Sequence, residues 1–516
     1  MTITIVDVET RSGWRYFTDT AEVRVSRIPY LPLLMSTGGF RRHLFSPGST
    51  LGAGQSEAEP ILLANADRAL DDLHRSVDGR RIIVRQGEPD SEGRPPRDLS
   101  SYTVVFQGRM DPADFTGDVV RLQPLNRQTV ISEGLVTETR FDGTATSGGA
   151  GLGGSVDLAG KPHPLLVGYA YNVEPAAANP FDQIYMVSQG WPGHSAVLHF
   201  VKDRGVSITP DTQHATLADL RAVAEAASIT TSRYDWYSGD DGTWFALGSL
   251  PAGIVTVEAT EGGGRTTAET AEFLLERSSE VTAGLVQGVA AMNSFAPGES
   301  GIFVGTEDRT IGSALEQVLE LVGYWHDALD GSGVVVGAWR EPEGSDQTIS
   351  ENETLDDIDL LSTNDVGGGA PVKEVLVGYR RNYTPLTKSD LDATAAVSDA
   401  LALSQEFLVT TPATVADAVA RNPLAQTMRL NTSFRYAADA ERIRDRQRDM
   451  RASGIDLFKV PVATTTATAG VGRGVTVTNR RHGLTRALCG VLGRESAGRT
   501  VDNIAVTDLI IWRPSP

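Results

Sequence analysis

Between residues 157 and 207 every apolar run is short and fenced by a residue that stops it. Residues 165–171, 183–187 and 196–201 are each long enough for one strand. Pro164, Asn172, Pro175, Pro180, Gly190, Pro192 and Gly193 bound them. No helix of ordinary length fits between such breakers. The stretch is restricted to a small antiparallel sheet, entered through the polar turn Asp157-Leu158-Ala159-Gly160-Lys161-Pro162-His163-Pro164.

The same punctuation recurs upstream. Residues 2–8 and 21–28 alternate apolar with polar, and 60–64, 81–85, 102–110 and 118–125 read as further strands. Leu70 and Leu73 mark a short helix or turn, and Val77-Asp78-Gly79-Arg80 supplies a tight turn. The 53 glycines and 25 prolines fit a chain of many short strands. Downstream, residues 243–247 and 253–259 read as strands after a short amphipathic helix at 217–227. From 267 the character changes, with a helix at 268–277. The clearest helix follows Thr310: Ile311, Ala314, Leu315, Val318, Leu319 and Val322 recur at helical spacing. Residues 334–339 and 374–379 are strands, helices are expected at 390–406 and 437–452, and five late strands end at 501–512.

The expected fold is mainly β with α+β insertions: two small β-barrel domains separated by inserted domains. A length of 516 residues accommodates four units. These are an N-terminal β-barrel at 1–147, an inserted mostly-β domain at 148–265, an α/β domain at 266–365, and a C-terminal β-barrel with helices at 366–516.

A formal charge of −20 argues against gripping nucleic acid or docking on anionic lipid. Cys489, the single cysteine, excludes an internal disulfide and any site built from several cysteines; its apolar neighbours make it a buried thiol. The first residues lack a basic, apolar secretory pattern, and no apolar stretch is long enough to cross a bilayer, so no membrane anchor is expected. The eight histidines show no helical metal-ligand spacing with a Glu, and there is no Gly-x-Ser-x-Gly elbow. Gly160-Lys161 is followed by Pro162, which rules out a Walker A loop. Gly149 to Gly154 fits G-x-G-x-x-G only formally, since no strand precedes it and no helix follows. No catalytic residue, metal ligand or cofactor site is therefore assigned. The aromatic cluster Tyr234, Trp236, Tyr237 and Trp244, beside Asp240 and Asp241, would suit a ligand platform for sugar; a barrel core accounts for it equally well.

One resemblance gives these parts an order. The run from Asp157 to Gly190, read as DLxGKPxPLxxGxxxNVxPxxxNPxxxIYxVxxG, resembles the tail-tip (baseplate) hub proteins of long-tailed bacteriophages and gene transfer particles. Upstream, ILLANADRALDDL, DGRRIIVRQG, FQGRMD and VRLQPLN follow in that family's order. Downstream, VLVGYRRNYT at 375–384 is similar to the strand that opens its last domain. Where the family has an LGD-V turn before its late strands, this chain has Ala469-Gly-Val-Gly-Arg-Gly474.

The resemblance implies a structural, non-enzymatic virion protein, synthesised in the bacterial host cytoplasm and located at the tail tip. Three copies would form a hub ring whose six barrels match a six-fold tail tube. A six-copy distal tail ring protein and a carbohydrate- or receptor-binding tail protein are the alternatives. Implied partners are the tail tube or distal tail ring protein on one side and a tail fibre or central tip protein on the other. Genome DNA would pass through an acidic lumen without specific binding. Candidate assembly contacts are the 148–154 lead-in, the 157–164 turn with Asp157, Lys161, Pro162 and Pro164, and the 510–516 tail with Trp512.

Overall fold

The computed structural model describes residues 2–21, 23–145, 151–328, 331–395, 397–464, 466–496, 500–501 and 504–515. Residues 146–150 of the glycine-rich lead-in and Pro516 lie outside them. The fold is mainly β, as expected.

The N-terminal part stacks two sheets. Five strands run in the order Pro124–Asn126, Thr103–Met110, Arg81–Gly87, Ile3–Thr10, Gly13–Thr18, and four in the order Asp114–Thr116, Val119–Leu122, Ile61–Ala64, Leu34–Ser36. Alternation puts Val6, Val8, Phe17, Ile61, Leu63, Ile82, Phe106 and Val120 between the layers, all fully buried. Expected strands here agree with the observed ones to within a few residues. Two expected strands are divided: 21–28 turns back on itself at Ser26 and Arg27, both at positive φ, into the hairpin Val23–Val25 and Ile28–Tyr30, and 118–125 is split by Gln123 into two strands placed in different sheets.

A ten-stranded sheet forms the middle of the molecule and carries Leu165–Val173, Ile184–Gln189, Ala196–Asp203 and Gly242–Leu247. It also contains Val206–Gln213, a strand with almost every residue exposed and hence no apolar alternation to announce it. Leu165–Val173 lies between Val255–Glu261 and Glu299–Val304 and is buried along its whole length.

Helix Ile311–Leu319 buries Ile311, Ala314, Leu315, Val318 and Leu319, the positions its spacing marks. Thr310 caps it by accepting the Ser313 amide at 3.2 Å. It packs against helix Thr267–Leu275, whose start is fixed by a reciprocal Thr266–Glu269 capping box.

The C-terminal sheet is ordered Gln347–Ile349, Gly474–Asn479, Leu484–Ser496, Ile504–Pro514, Ile455–Ala463, Asp359–Leu361. Both outer strands thus come from the chain before residue 366. Ile349 and Ile358 enter the same core as Phe458, Val475, Val491 and Ile511, so the 347–361 stretch spans this open sheet from one edge strand to the other like a strap. A second addition arrives from the other end of the sequence. Phe40–His43 pairs antiparallel with Gly493 to Ser496, and His43 meets Glu495 through Nε2–Oε1 at 2.9 Å. Hydrogen bonding therefore crosses the boundaries near 147 and 365 that composition suggests. Those boundaries follow local changes in pattern, whereas pairing is decided by which apolar faces need cover.

One further tie is a buried ion pair. Arg451, ending helix Ala437–Arg451, reaches Asp365 at 3.1 Å, and Asp365 also accepts the Thr50 amide at 3.0 Å. Burial alone would raise the Asp365 carboxyl, but the Arg451 charge and the Thr50 hydrogen bonds outweigh it and hold the pKa below the ordinary value.

Candidate assembly face

The 157–164 turn is shaped by its neighbours on both sides. Residues 139–145 run beside it: Gly160 donates to the Phe141 carbonyl at 2.8 Å, Phe141 to Lys161 at 2.9 Å, and His163 to Thr139 at 2.9 Å. Gly143 donates to Gly153 at 2.8 Å, and Gly154 to Ala178 at 2.8 Å, which moors the lead-in to the central sheet. Gly160 adopts φ +79°, a left-handed conformation that favours glycine at this corner. His163 packs against Phe141, with ring centroids 4.3 Å apart and ring planes tilted by 44°, and burial lowers its pKa, so the imidazole is neutral at pH 7.

The turn therefore presents two faces. Asp157, Ala159, Gly160 and Lys161 are exposed, and Val156 is 80 % exposed. Pro162 and Pro164 are buried, so these two support the turn instead of offering contact. Phe181 is exposed nearby, after an Asn179 side chain that accepts its amide at 3.0 Å. A cleft of about 1050 Å³ opens beside the turn, lined in part by Lys161, Glu174, Pro180, Phe303 and Tyr383.

Behind the turn, the same sequence stretch does something else. Gly168 takes φ +66° where any Cβ would strike the Ser300 carbonyl, so the strand passes closely over its neighbour. Asn172 also has positive φ, 53°, at a bulge in the strand, a conformation Asn tolerates. Its Nδ2 donates to Asn382 Oδ1 at 2.8 Å and to the Thr384 carbonyl at 2.6 Å. Asn382 in turn donates to the Leu403 carbonyl at 2.8 Å. The Arg380 guanidinium lies 4.1 Å from the Tyr171 ring centre, and Tyr169 donates its hydroxyl to Glu258 at 2.8 Å. Tyr383 receives the Phe303 amide and the Gln317 side chain on its hydroxyl, both at 3.0 Å. The two stretches GYAYNV and VGYRRNYT, more than two hundred residues apart, thus close on each other. Sequence reading singles out both stretches but not this junction; the Asn that interrupts an apolar strand was its one local signal.

The remaining candidate residues lie elsewhere. Trp512 is buried and sits in Ile504–Pro514, an inner strand of the C-terminal sheet, with its ring 4.6 Å from that of Trp339. The tail is therefore core on this chain, because its Ile510, Ile511 and Trp512 face packed layers. The four rings of the aromatic cluster do not share a face. Strand period two sends Tyr234 and Trp236 into one core, and Tyr237 with its cross-strand partner Trp244 into another. Tyr234, Tyr237 and Trp244 are buried, so they offer no open ring for stacking a sugar. His194 is bonded to Glu261 at 2.8 Å and His199 to Thr260 Oγ1 at 2.8 Å, and the two do not converge on a metal. Among the described residues no group of three or more His, Cys, Asp or Glu is arranged to hold one. Cys489 is buried, and its thiol is pushed up to about 11. Among the described residues no helix is long and apolar enough to cross a membrane.

No family model matches the chain, and no curated protein does. Solved structures do show likeness. A tail protein from Neisseria meningitidis MC58 aligns over 99 % of this chain and 96 % of its own, at 9 % identity and a TM-score of 0.41. The prophage MuSo2 43 kDa tail protein from Shewanella oneidensis aligns over 100 % and 98 %, at 8 % identity and a TM-score of 0.41. The virion of a native gene transfer agent particle contains a chain similar over 54 % of this one and 84 % of its own, at 12 % identity and a TM-score of 0.20.

Proposed function

We propose that this chain is a structural subunit of a phage-type tail, forming the hub ring at the tail tip. The observation that carries the reading is the junction between GYAYNV and VGYRRNYT. The motifs whose order resembles the hub family interlock through Asn172 and Asn382, so their co-occurrence has a physical reason in this fold. The exposed Val156–Asp157–Lys161 edge beside this rigid seam supplies a contact for a neighbour. Three copies, each with two barrel-like units, would present six similar surfaces to a six-fold tube. The ring would meet the tail tube or a distal ring on one side and a fibre or central tip protein on the other, in a role that needs no catalysis.

Immunogold electron microscopy of purified particles, with antibody against this chain, tests the reading. Label confined to the distal tail end is the expected result, and particles without label would overturn it. Native mass spectrometry of the purified protein then reads the copy number. Three copies fit the hub, and six would favour a distal tail ring protein.

A further inference from the structure

The sheet around Glu374–Tyr379 has an open edge. That strand pairs on one side with Leu408–Val409 and Ala413–Thr414, and on the other with Thr427–Asn431, which runs parallel to it. Thr427–Asn431 has no second neighbour among the described residues. The Gln426 carbonyl accepts the Lys373 amide, and the Thr432 amide donates to the Gly378 carbonyl, both at 2.9 Å. Strand alternation gives residues 428 and 430 to the same partner and turns the peptide groups of Thr427, Arg429 and Asn431 outward. Glu320 takes the Asn431 amide. The outward groups of Thr427 and Arg429 and the Asn431 carbonyl have no partner among the described residues.

A cleft of about 610 Å³ lies along this edge, lined by Leu430 and Asn431 together with Leu51, Glu316, Glu320 and Leu321. Arg429 is exposed at the middle of the strand, and Leu424, three residues ahead of it, is 82 % exposed. The charges in the cleft are unequal. Arg381 is committed to Glu406 at 3.2 Å, and Arg309 is held by Gln317 Oε1 at 2.6 Å. Glu316 and Glu320 stand four residues apart at the C-terminal end of helix Ile311–Leu319, with no ion-pair partner among the described residues. Like charges at this spacing, at the negative end of a helix dipole, are unfavourable until a cation joins them. Desolvation in the cleft raises the Glu320 carboxyl and Glu316 adds to the rise, while the Asn431 amide and the Arg381 charge offset part of it.

Unpaired peptide groups at strand spacing match another peptide backbone, whose donors and acceptors have the same repeat. The two carboxylates call for positive charge on that segment, which a second copy of this chain, at a formal charge of −20, supplies poorly. We propose that Thr427–Asn431 is the docking edge for an extended, basic segment of a partner protein, which joins the sheet as a further strand. Its backbone bonds to the outward groups of Thr427 and Arg429. Alternate side chains enter the cleft, where a Lys or Arg meets Glu316 and Glu320. The site stands independently of the tail assignment.

The test uses the full chain and a fluorescein-labelled heptapeptide alternating threonine with leucine, lysine and leucine, read by fluorescence anisotropy. Two further peptides carry N-methyl groups, one on the threonine amides and the other on the leucine and lysine amides. Only one edge of an added strand faces Thr427–Asn431. One N-methylated peptide should therefore bind like the parent, and the other should bind about tenfold more weakly or worse. Arg429→Pro removes an amide that the sheet itself does not use, so it should keep the parent's melting temperature and show the same loss. Arg429→Ala should bind normally. No saturable binding, an equal response to both N-methylated peptides, or undiminished binding to a folded Arg429→Pro would overturn the proposal. Self-association of the chain that disappears in Arg429→Pro would overturn it too, by assigning the edge to a second copy.

Discussion

Residues 156–161 and 168–173 lie a few positions apart in one sequence stretch, yet they are opposite in physical state. The first has exposed side chains and a backbone satisfied by the 139–145 segment next to it. The second is buried, and its polar side chains are spent on Glu258 and on residues near 380. The difference separates what holds this chain together from what it has left to offer another chain. A buried amide network fixes one geometry, because each unpaired group would go without water. An exposed turn with an apolar side chain at its corner has no such internal debt.

Substitutions can break or sharpen this contrast. The largest loss of stability is expected away from the turn, at the buried ion pair: Asp365→Ala strands the Arg451 charge and should cost about 3–5 kcal/mol in chemical denaturation. The same pair gives a pH signature. The folded pKa of Asp365 is depressed, so its contribution is fully present above the unfolded value of about 3.9 and is lost as pH falls through the lower folded value. Asp365→Asn should therefore flatten the acid limb of the stability profile below about pH 4. An unchanged limb would show that the pair contributes little.

Next in size is the motif junction. Asn382→Leu removes the acceptor of Asn172 and the donor to Leu403, and should destabilise by about 2–3 kcal/mol. A neutral result would mean that the seam is held by its other contacts, the Asn172–Thr384 hydrogen bond and the Tyr171–Arg380 pair among them. The smallest stability effect belongs to the turn. Val156→Ser, Asp157→Ala and Lys161→Ala should each change the unfolding free energy by no more than about 0.5 kcal/mol. If the turn is an assembly contact as proposed, the triple variant combining them should nevertheless fail to form the proposed ring by native mass spectrometry. An intact ring would remove this turn from the interface and leave the seam unaffected.

How much of this was legible in the sequence depends on the distance over which each feature is decided. Helix Ile311–Leu319 is readable because its stripe, its Thr310 cap and its core-facing residues lie within one short window. The strands around Leu165–Val173 are readable because breakers bound them. The exposed strand Val206–Gln213 is invisible to any apolar pattern, because it is held by backbone pairing to its neighbours. The aromatic cluster looks like a surface platform in one dimension, and the two-residue period of the strands distributes it between two cores. Trp512 fails as a surface contact for a related reason, since its strand is covered on both sides.

The sequence by itself determined the β-rich class, the positions of most strands and turns, and the helices with caps, because these follow from steric and hydrophobic preferences acting over a few residues. Only the tertiary structure decided that the 347–361 strap and the Phe40–His43 strand join the C-terminal sheet, and that Asn172 meets Asn382. Those pairings join residues far apart in the chain, where many partners satisfy local preference and the selection is made by which apolar faces and buried polar groups are left to satisfy.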